Sequence, residues 1–489
     1  MKRAPLALAL ALAACAPPPS SGGEVPAWIS DTSSYGAPAA PRSTTAPPSL
    51  ADPYREVAAK ILAAARADRG AYEKLAELTD QIGARLAGSP ELDRAIAWAA
   101  QTMKADGHEV RTEKVMVPHW QRGAEEAMVI APVTRKVHVL GLGGSIATPK
   151  GGITAPIVVV KSFEELEARA ADVKGAIVLF DVPMRPYDKT KGSDYGNVVR
   201  YRSQGASRAA RHGAVAVLVR SITERSLRTP HTGAMSYATD APKIPAASVT
   251  IEDAALLSRL AARGPVKLRL RLESKTLPDA PSANVIGELR GKDKPDEVVL
   301  IGAHLDSWDV GQGAHDDGAG CVQMMQALTT LRRLGLQPRR TIRVVLFTNE
   351  ENGGRGSKAY AAEHAGELPN TVFALEADAG GFRPSSLGVG SKTAADRVAL
   401  RLDELLSLVE STGLTKVFAS QHVGADVTPL LAAGVPAGAV YTDGARYFDY
   451  HHTEADTLDK IDPAELADGA AAIAVLAYVI ADLPERLDR

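Results

Sequence analysis

The stretch Val298–Gly320, VVLIGAHLDSWDVGQGAHDDGAG, constrains this chain more than any other. It opens as a short apolar run, breaks into a loop carrying two histidines and four aspartates, and closes on a glycine-rich turn into a helix. A buried strand that delivers polar residues at its carboxyl end is where an open α/β sheet places its chemistry. His304, Asp306 and Asp316 fall in this loop. Imidazole together with carboxylate suits zinc or a related divalent ion.

The segments around it repeat the theme. From Ser282 onward the strand candidates EVVLIGA, TIRVVLFT, TVFALEA and GAVYT alternate with helical patterns at Gly320–Leu334, Gly356–His364, Ala394–Ser411 and Pro463–Leu483. That alternation predicts an α/β fold, a mostly parallel mixed sheet flanked by helices. His304 and Asp306 follow the first strand, Glu350 and Glu351 the second, and Asp378 the third. Upstream, residues 51–133 carry three helical patterns and then the β-type segments VRTEKVMVPHW and EEAMVIAP. Residues 134–277 are different. APIVVVKS, GAIVLFDV, AVAVLVRS and VKLRLRLE read as strands, with helices at Phe163–Ala171 and Gln204–His212, and no tight His/Asp/Glu cluster occurs. This is a β-rich domain inserted between 51–133 and 278–489, and its His138 and His231 read as surface or satisfied core residues.

At 489 residues the chain exceeds a single core, so two domains plus appendages are expected. A formal charge of −2, with both signs interspersed, excludes the basic stripe that nucleic acid requires. Two cysteines, Cys15 and Cys321, are too few for a disulfide framework. Residues 1–15 read as a signal peptide: Lys2 and Arg3 precede the apolar Leu6–Leu12, which is too short to span a bilayer. Leu12-Ala13-Ala14-Cys15 resembles the bacterial lipobox, so Cys15 is the expected lipidation site. Ala16 after it points to an outer-membrane anchor facing the periplasm; the alternative is an ordinary secretory peptide and a secreted protein. Residues 16–50 are rich in Pro, Ser, Thr, Gly and Ala and read as a disordered tether. No later segment reads as a membrane span, leaving the lipid anchor as the membrane contact.

His304, Asp316, Glu351, Asp378 and His452 bring two imidazoles and three carboxylates from separate loops. One cation rarely needs all five, whereas two cations sharing a bridging carboxylate use them economically. Asp306 suits an outer acceptor that fixes the His304 tautomer. In the pair Glu350-Glu351 one side chain can bind metal while the other acts as general acid and base. A nucleophilic serine is disfavoured, because no Gly-x-Ser-x-Gly elbow is present. Taken singly each motif has a plain structural reading: a capping Asp in HLDS, a helix start in EEN, a Thr453–Asp456 capping box in HHTEADT. Asp309, Asp317 and His315 read as loop or supporting residues.

With these residues in view, the chain resembles the co-catalytic zinc exopeptidases, and among them the plasma glutamate carboxypeptidase (carboxypeptidase Q) branch. HLDSWDVGQGAHDDGAG, PHW, SFEEL, TPHTG, KIPAASVTIEDA and YHHTEADT carry the resemblance, which runs from about Tyr54 to the C-terminus. It implies two zinc ions, His304 and Asp378 holding one, Glu351 and His452 the other, and Asp316 bridging. It further implies Glu350 as general acid/base, Asp306 beside the first histidine, a cis Asp316–Asp317 peptide, and a protease-associated insertion that can assist homodimer formation. The implied activity is hydrolysis of dipeptides or short peptides by a water held between the ions, or aminopeptidase action on longer ones. Less favoured are a receptor-like relative without activity and a glutaminyl cyclase. Three positions depart from commoner family residues: Asn349 stands for Ala, Val427 for His, and His451 for Tyr. His451 is expected to donate a hydrogen bond to the tetrahedral intermediate; the alternative makes His451 the ligand and His452 its neighbour.

Overall fold

A computed structural model describes residues 49–188, 191–225 and 227–488. The signal segment, Cys15 and nearly all of the expected tether lie outside these. The strands, in chain order, are β1 Glu109–Gln121, β2 Glu125–Ala131, β3 Arg135–Val137, β4 Val139–Gly141, β5 Ile153–Val160, β6 Ile177–Phe180, β7 Ala216–Arg220, β8 Ala246–Val249, β9 Lys267–Leu272, β10 Lys275–Leu289, β11 Lys294–His304, β12 Arg340–Phe347, β13 Thr371–Glu376, β14 Ser386–Gly390, β15 Lys416–Ala419 and β16 Ala437–Tyr441. They form two eight-stranded sheets.

The main sheet runs β1-β10-β12-β11-β13-β16-β14-β15. Its centre, β12-β11-β13-β16, is parallel, and antiparallel pairs flank it. The four central strands are the four expected from sequence. Both faces of this centre are covered, as their apolar character requires. In β12, Ile342, Val344 and Leu346 pack into one core while Val345 and Phe347 pack into another on the opposite face. Each such side chain contributes about 1.5–3 kcal/mol on burial. Helix Pro463–Asp482 lies against β11, β12 and helix Ala319–Arg333. Asp462 caps it by accepting from the Ala464 and Glu465 N–H groups, and Pro463 occupies its first turn. Contrary to the expectation that no later segment resembles a membrane span, this helix has the length and apolarity of one. Its apolar surface is spent on the protein interior, where 83% of that window is buried.

β1 leaves the main sheet for the insert and β10 returns from it, and the two pair antiparallel from Glu109↔Glu288 to Gln121↔Lys275. The insert's sheet runs β3-β2-β9-β5-β6-β7-β8-β4. It takes in β2, whose residues had been expected in the 51–133 portion. The reason is packing: Ala127 and Val129 share a core with Leu268 and Leu270 of the adjacent β9. Helix Tyr195–Arg211 begins earlier than the expected Gln204. Its first half packs two ways, Val199 against Met184 and Tyr201 against Phe163, and this blurs the amphipathic period. β14 and β15 have no counterpart in the sequence reading; SLGVG and KVFA are short and weakly patterned.

Candidate active site

Three parallel strands end on one rim of the main sheet and deliver the expected residues. β11 ends at His304, β12 leads to Glu350 and Glu351, and β13 leads to Asp378. The loop after β11 adds Asp316, and the turn after helix Gly444–Tyr450 adds His451 and His452. His304 Nε2 lies 3.3 Å from Asp316 Oδ1 and 3.6 Å from Asp378 Oδ1. His452 Nε2 lies 3.2 Å from Asp316 Oδ2 and 3.1 Å from Glu351 Oε2. The structure thus gathers all five residues, with Asp316 facing both imidazoles.

These contacts leave bonding capacity unused. His304 Nε2, Asp316 Oδ2, Glu351 Oε1 and Asp378 Oδ1 are buried without a hydrogen-bond partner. Such orphaned groups are costly unless something else satisfies them. Among the described residues, His304, Asp316 and Asp378 form one group whose ligand atoms lie within 4.8 Å of one another, and Asp316, His451 and His452 form a second. Asp316 belongs to both. The donor set, its burial and its unused lone pairs fit a pair of divalent cations sharing the Asp316 carboxylate.

The electrostatics agree. Burial and the neighbouring Asp316 carboxylate push Glu351 well above the usual carboxylate range, against the pull of His304. Glu350 is pushed the same way by desolvation, with Asp378 and Glu351 adding to it and His304 opposing. His304 goes up, because Asp378 and Asp316 outweigh the burial that would discharge it. Burial drives His451 well below its ordinary value, so it is neutral. His451 stacks on His452 with ring centroids 3.5 Å apart, and its Nε2 is 3.7 Å from Asp316 Oδ2. His452 is the nearer imidazole to the carboxylates.

Two supporting residues act through atoms that the sequence does not specify. His304 Nδ1 faces the carbonyl of Asp306 at 3.0 Å, while the Asp306 carboxylate is 3.8 Å away. That carboxylate is already engaged: it accepts from the N–H groups of Glu350 at 3.0 Å and Glu351 at 3.3 Å. Asp306 therefore orients the imidazole with its backbone and the glutamate pair with its side chain. No helix starts at Thr453, so Asp456 belongs to no capping box there. It accepts from the His315 and Asp316 N–H groups at 2.7 and 3.1 Å, fixing the loop that presents Asp316. Asp317 similarly accepts from the His304 and Gly320 N–H groups. The Asp316–Asp317 peptide is cis, as the resemblance implied. Asn349 has φ +63°, a left-handed conformation that asparagine tolerates better than most residues, and its Oδ1 accepts from Arg355 N–H. Val427 is buried in the core and donates its N–H to Glu376.

Other contributors had no part in the sequence reading. Arg85 is fully buried, and its guanidinium donates to the carbonyls of Gly83, Leu305, Gln312 and Gly313, tying both ends of the His304–Asp316 loop. A lone arginine in a helical N-terminal region gives no sign of this. Glu376 and Asp426 are fully buried acids behind the rim. A glutamate inside the apolar run TVFALEA was the readable signal. Burial raises Asp426 to about 7.

Comparison with known proteins accords with this architecture. The model of peptidase family M28 matches residues 284–477, and that of the PA domain matches residues 153–257. The chain is 42% identical to carboxypeptidase Q of Mus musculus over 441 residues, covering 89% of this chain and 91% of that one. Carboxypeptidase Q of Homo sapiens is also 42% identical, with 87% and 88% covered. The crystal structure of a peptidase M28 precursor from Shewanella amazonensis SB2B superposes with a TM-score of 0.85 at 38% identity, covering 89% of this chain and 98% of that one. With a PA domain inserted in its peptidase body, the chain belongs to peptidase family M28.

Proposed function

We propose that this peptidase is a metalloexopeptidase that holds two zinc ions and hydrolyses dipeptides or short peptides. The observation that carries the proposal is the set of buried, unpartnered nitrogen and oxygen atoms on His304, Asp316, Glu351 and Asp378. His304 and Asp378 would hold one ion, Glu351 and His452 the other, with Asp316 shared between them. When bound, such ions polarise the scissile carbonyl and acidify the attacking water.

The protein's own residues supply the remaining steps. Glu350 takes a proton from the attacking water at its carboxylate and delivers it to the nitrogen of the leaving amine. Burial raises its affinity for protons, the direction a group that accepts and returns a proton needs. Asp306 holds the Glu350 and Glu351 backbone still, so one side chain can face the ions while the other faces the substrate. His451, neutral and beside His452, offers an N–H to the oxygen that gains charge.

One set of measurements tests this: zinc content and turnover of a dipeptide panel for wild type, Glu350→Gln, His451→Ala and His452→Ala. Glu350→Gln should keep two zinc ions and lose about 10²–10⁴-fold in kcat. His452→Ala should lose zinc, whereas His451→Ala should keep it and turn over more slowly. A wild-type protein binding fewer than two ions, with Glu350→Gln as active as wild type, would end the proposal.

A further inference from the structure

One imidazole of the site is held from outside the peptidase body. Thr232 of the insert donates its N–H to the His452 carbonyl at 3.0 Å, and its own carbonyl faces His452 Nδ1 at 3.4 Å. The same carbonyl accepts from Arg202 Nη1 at 3.3 Å, and that nitrogen lies 3.4 Å from His452 Nδ1. Thr232 Oγ1 donates to the Gly141 carbonyl at 2.7 Å and accepts from Arg122 Nη2 at 3.3 Å. Every polar atom of Thr232 is therefore engaged. Arg122 in turn grips both oxygens of Asp309, in the His304–Asp316 loop, at 2.6 and 2.8 Å. Arg202 is only 5% exposed, and its guanidinium lies 5.6 Å from the Tyr195 ring centroid. Trp308 completes the contact: its ring is edge-on to His452, and a Cβ at Gly143 of the insert would come within 1.9 Å of it.

His452 has φ +61°, a conformation that a non-glycine residue keeps only with outside support. Its Nε2 points at Asp316 and Glu351. An imidazole offers a lone pair at Nε2 only when its proton sits on Nδ1, and a carbonyl at Nδ1 selects that tautomer. With Nδ1 protonated, Arg202 Nη1 has the Thr232 carbonyl as its acceptor, which fixes that carbonyl in place.

We propose that the inserted domain is a working part of the metal centre, with Thr232, braced by Arg202 and Arg122, setting the orientation and tautomer of His452. Arg202 and Thr232 are positioning residues in this scheme. The inference rests on the two-ion reading above. It assigns to the insert a role in metal retention that the strands of the main sheet cannot supply alone.

The test is zinc retention by the full-length protein against a graded competing chelator, with bound metal counted directly. Wild type should hold two ions. Arg202→Met should keep one and release the other at up to about 10-fold weaker chelation, the low end of the range for a ligand that loses its outer partner, since the Thr232 carbonyl stays but is no longer braced. Arg202→Lys should recover part of the loss. Should Arg202→Met fail to fold, Arg122→Gln, which loosens Thr232 from the opposite side, is expected to weaken the same ion. Arg208→Met serves as control, since Arg208 lies on the same helix over Phe163, and it should match wild type. Retention of both ions at wild-type strength by Arg202→Met or by Arg122→Gln overturns the proposal, as does an equal loss in Arg208→Met. A wild type holding fewer than two ions sinks the two-ion reading and this proposal together; two ions in wild type with unaffected variants sinks this proposal alone.

Discussion

At the end of β6 in the insert, Asp181 accepts from Arg220 Nη1 at 2.9 Å and from Ser258 Oγ at 2.6 Å. At the end of β11 in the main sheet, His304 Nε2 faces Asp316 and Asp378 with no hydrogen bond formed. The two sheets share strand number, a parallel centre and a core on each face. They differ in what happens to charge at the strand ends. The insert neutralises Asp181 locally; the main sheet collects Asp316, Glu351, Asp378 and Asp426 with buried oxygens left unpartnered. A shared architecture does not make a site. Uncompensated charge at the rim does, because it is tolerable only if something else is to be bound there.

Chelation should show this difference most strongly. A ligand at a thousand times its dissociation constant stabilises a fold by about 4 kcal/mol, and that contribution vanishes when the metal is stripped. Amide hydrogen exchange should then quicken around residues 304–317, 348–352, 376–380 and 450–456, while β6 and β7 keep their protection. Uniform acceleration in both sheets would show that the rim is not the locus of metal binding.

A smaller effect of opposite sign in the two regions sharpens the comparison. In the metal-free protein burial, with Asp316 adding to it, disfavours the charged form of Asp378 more than the neighbouring His304 favours it, so Asp378→Asn should stabilise by at most about 1 kcal/mol. Asp181→Asn breaks a charge-assisted pair and should destabilise by about 1.5–3 kcal/mol. Urea unfolding of both variants without metal measures each sign. Zinc should reverse the Asp378→Asn result, because the substitution then removes a ligand. Loss of stability in both metal-free variants would mean that the rim is internally balanced after all.

Sequence made the rim legible because its residues fall just after apolar runs whose parallel pairing forces their ends together. His304, Glu350, Glu351 and Asp378 needed no more than that. Asp316 and His452 were less constrained, and the resemblance to zinc exopeptidases supplied their roles. What stayed hidden depends on contacts between distant segments. Arg85 reaches carbonyls more than two hundred positions away. Thr232 meets His452 across the domain boundary. That Asp306 meets His304 through its carbonyl and keeps its carboxylate for the Glu350 and Glu351 N–H groups is not legible either, because spacing alone cannot tell a backbone acceptor from a carboxylate. The sheet that receives β2 is not legible, because alternation fixes which face is buried and says nothing of which sheet it joins.

Acid should separate the regions by the smallest margin. His108, in the main body, is 6% exposed and lowered to about 4, chiefly by burial. Thr329 Oγ1 has acceptors in Asp106 and Met325, so His108 Nε2 is the donor in their 3.2 Å contact, and the lowered value keeps the ring neutral at pH 7. In the insert, His138 and His212 instead face the carboxylates of Asp253 and Glu167. Because the folded state resists protonating His108, its contribution is complete above the unfolded value of 6.5 and is lost as pH falls toward 4. By pH 5.5 the unfolded chain has gained about 1 kcal/mol from this group. His108→Gln should remove that component. Its stability, measured by urea unfolding at pH 7.5 and 5.5, should fall by about 1 kcal/mol less than wild type. An identical fall in both proteins would place the acid sensitivity elsewhere, most directly on the rim, and would make metal-free unfolding of the main sheet a matter of its carboxylates alone.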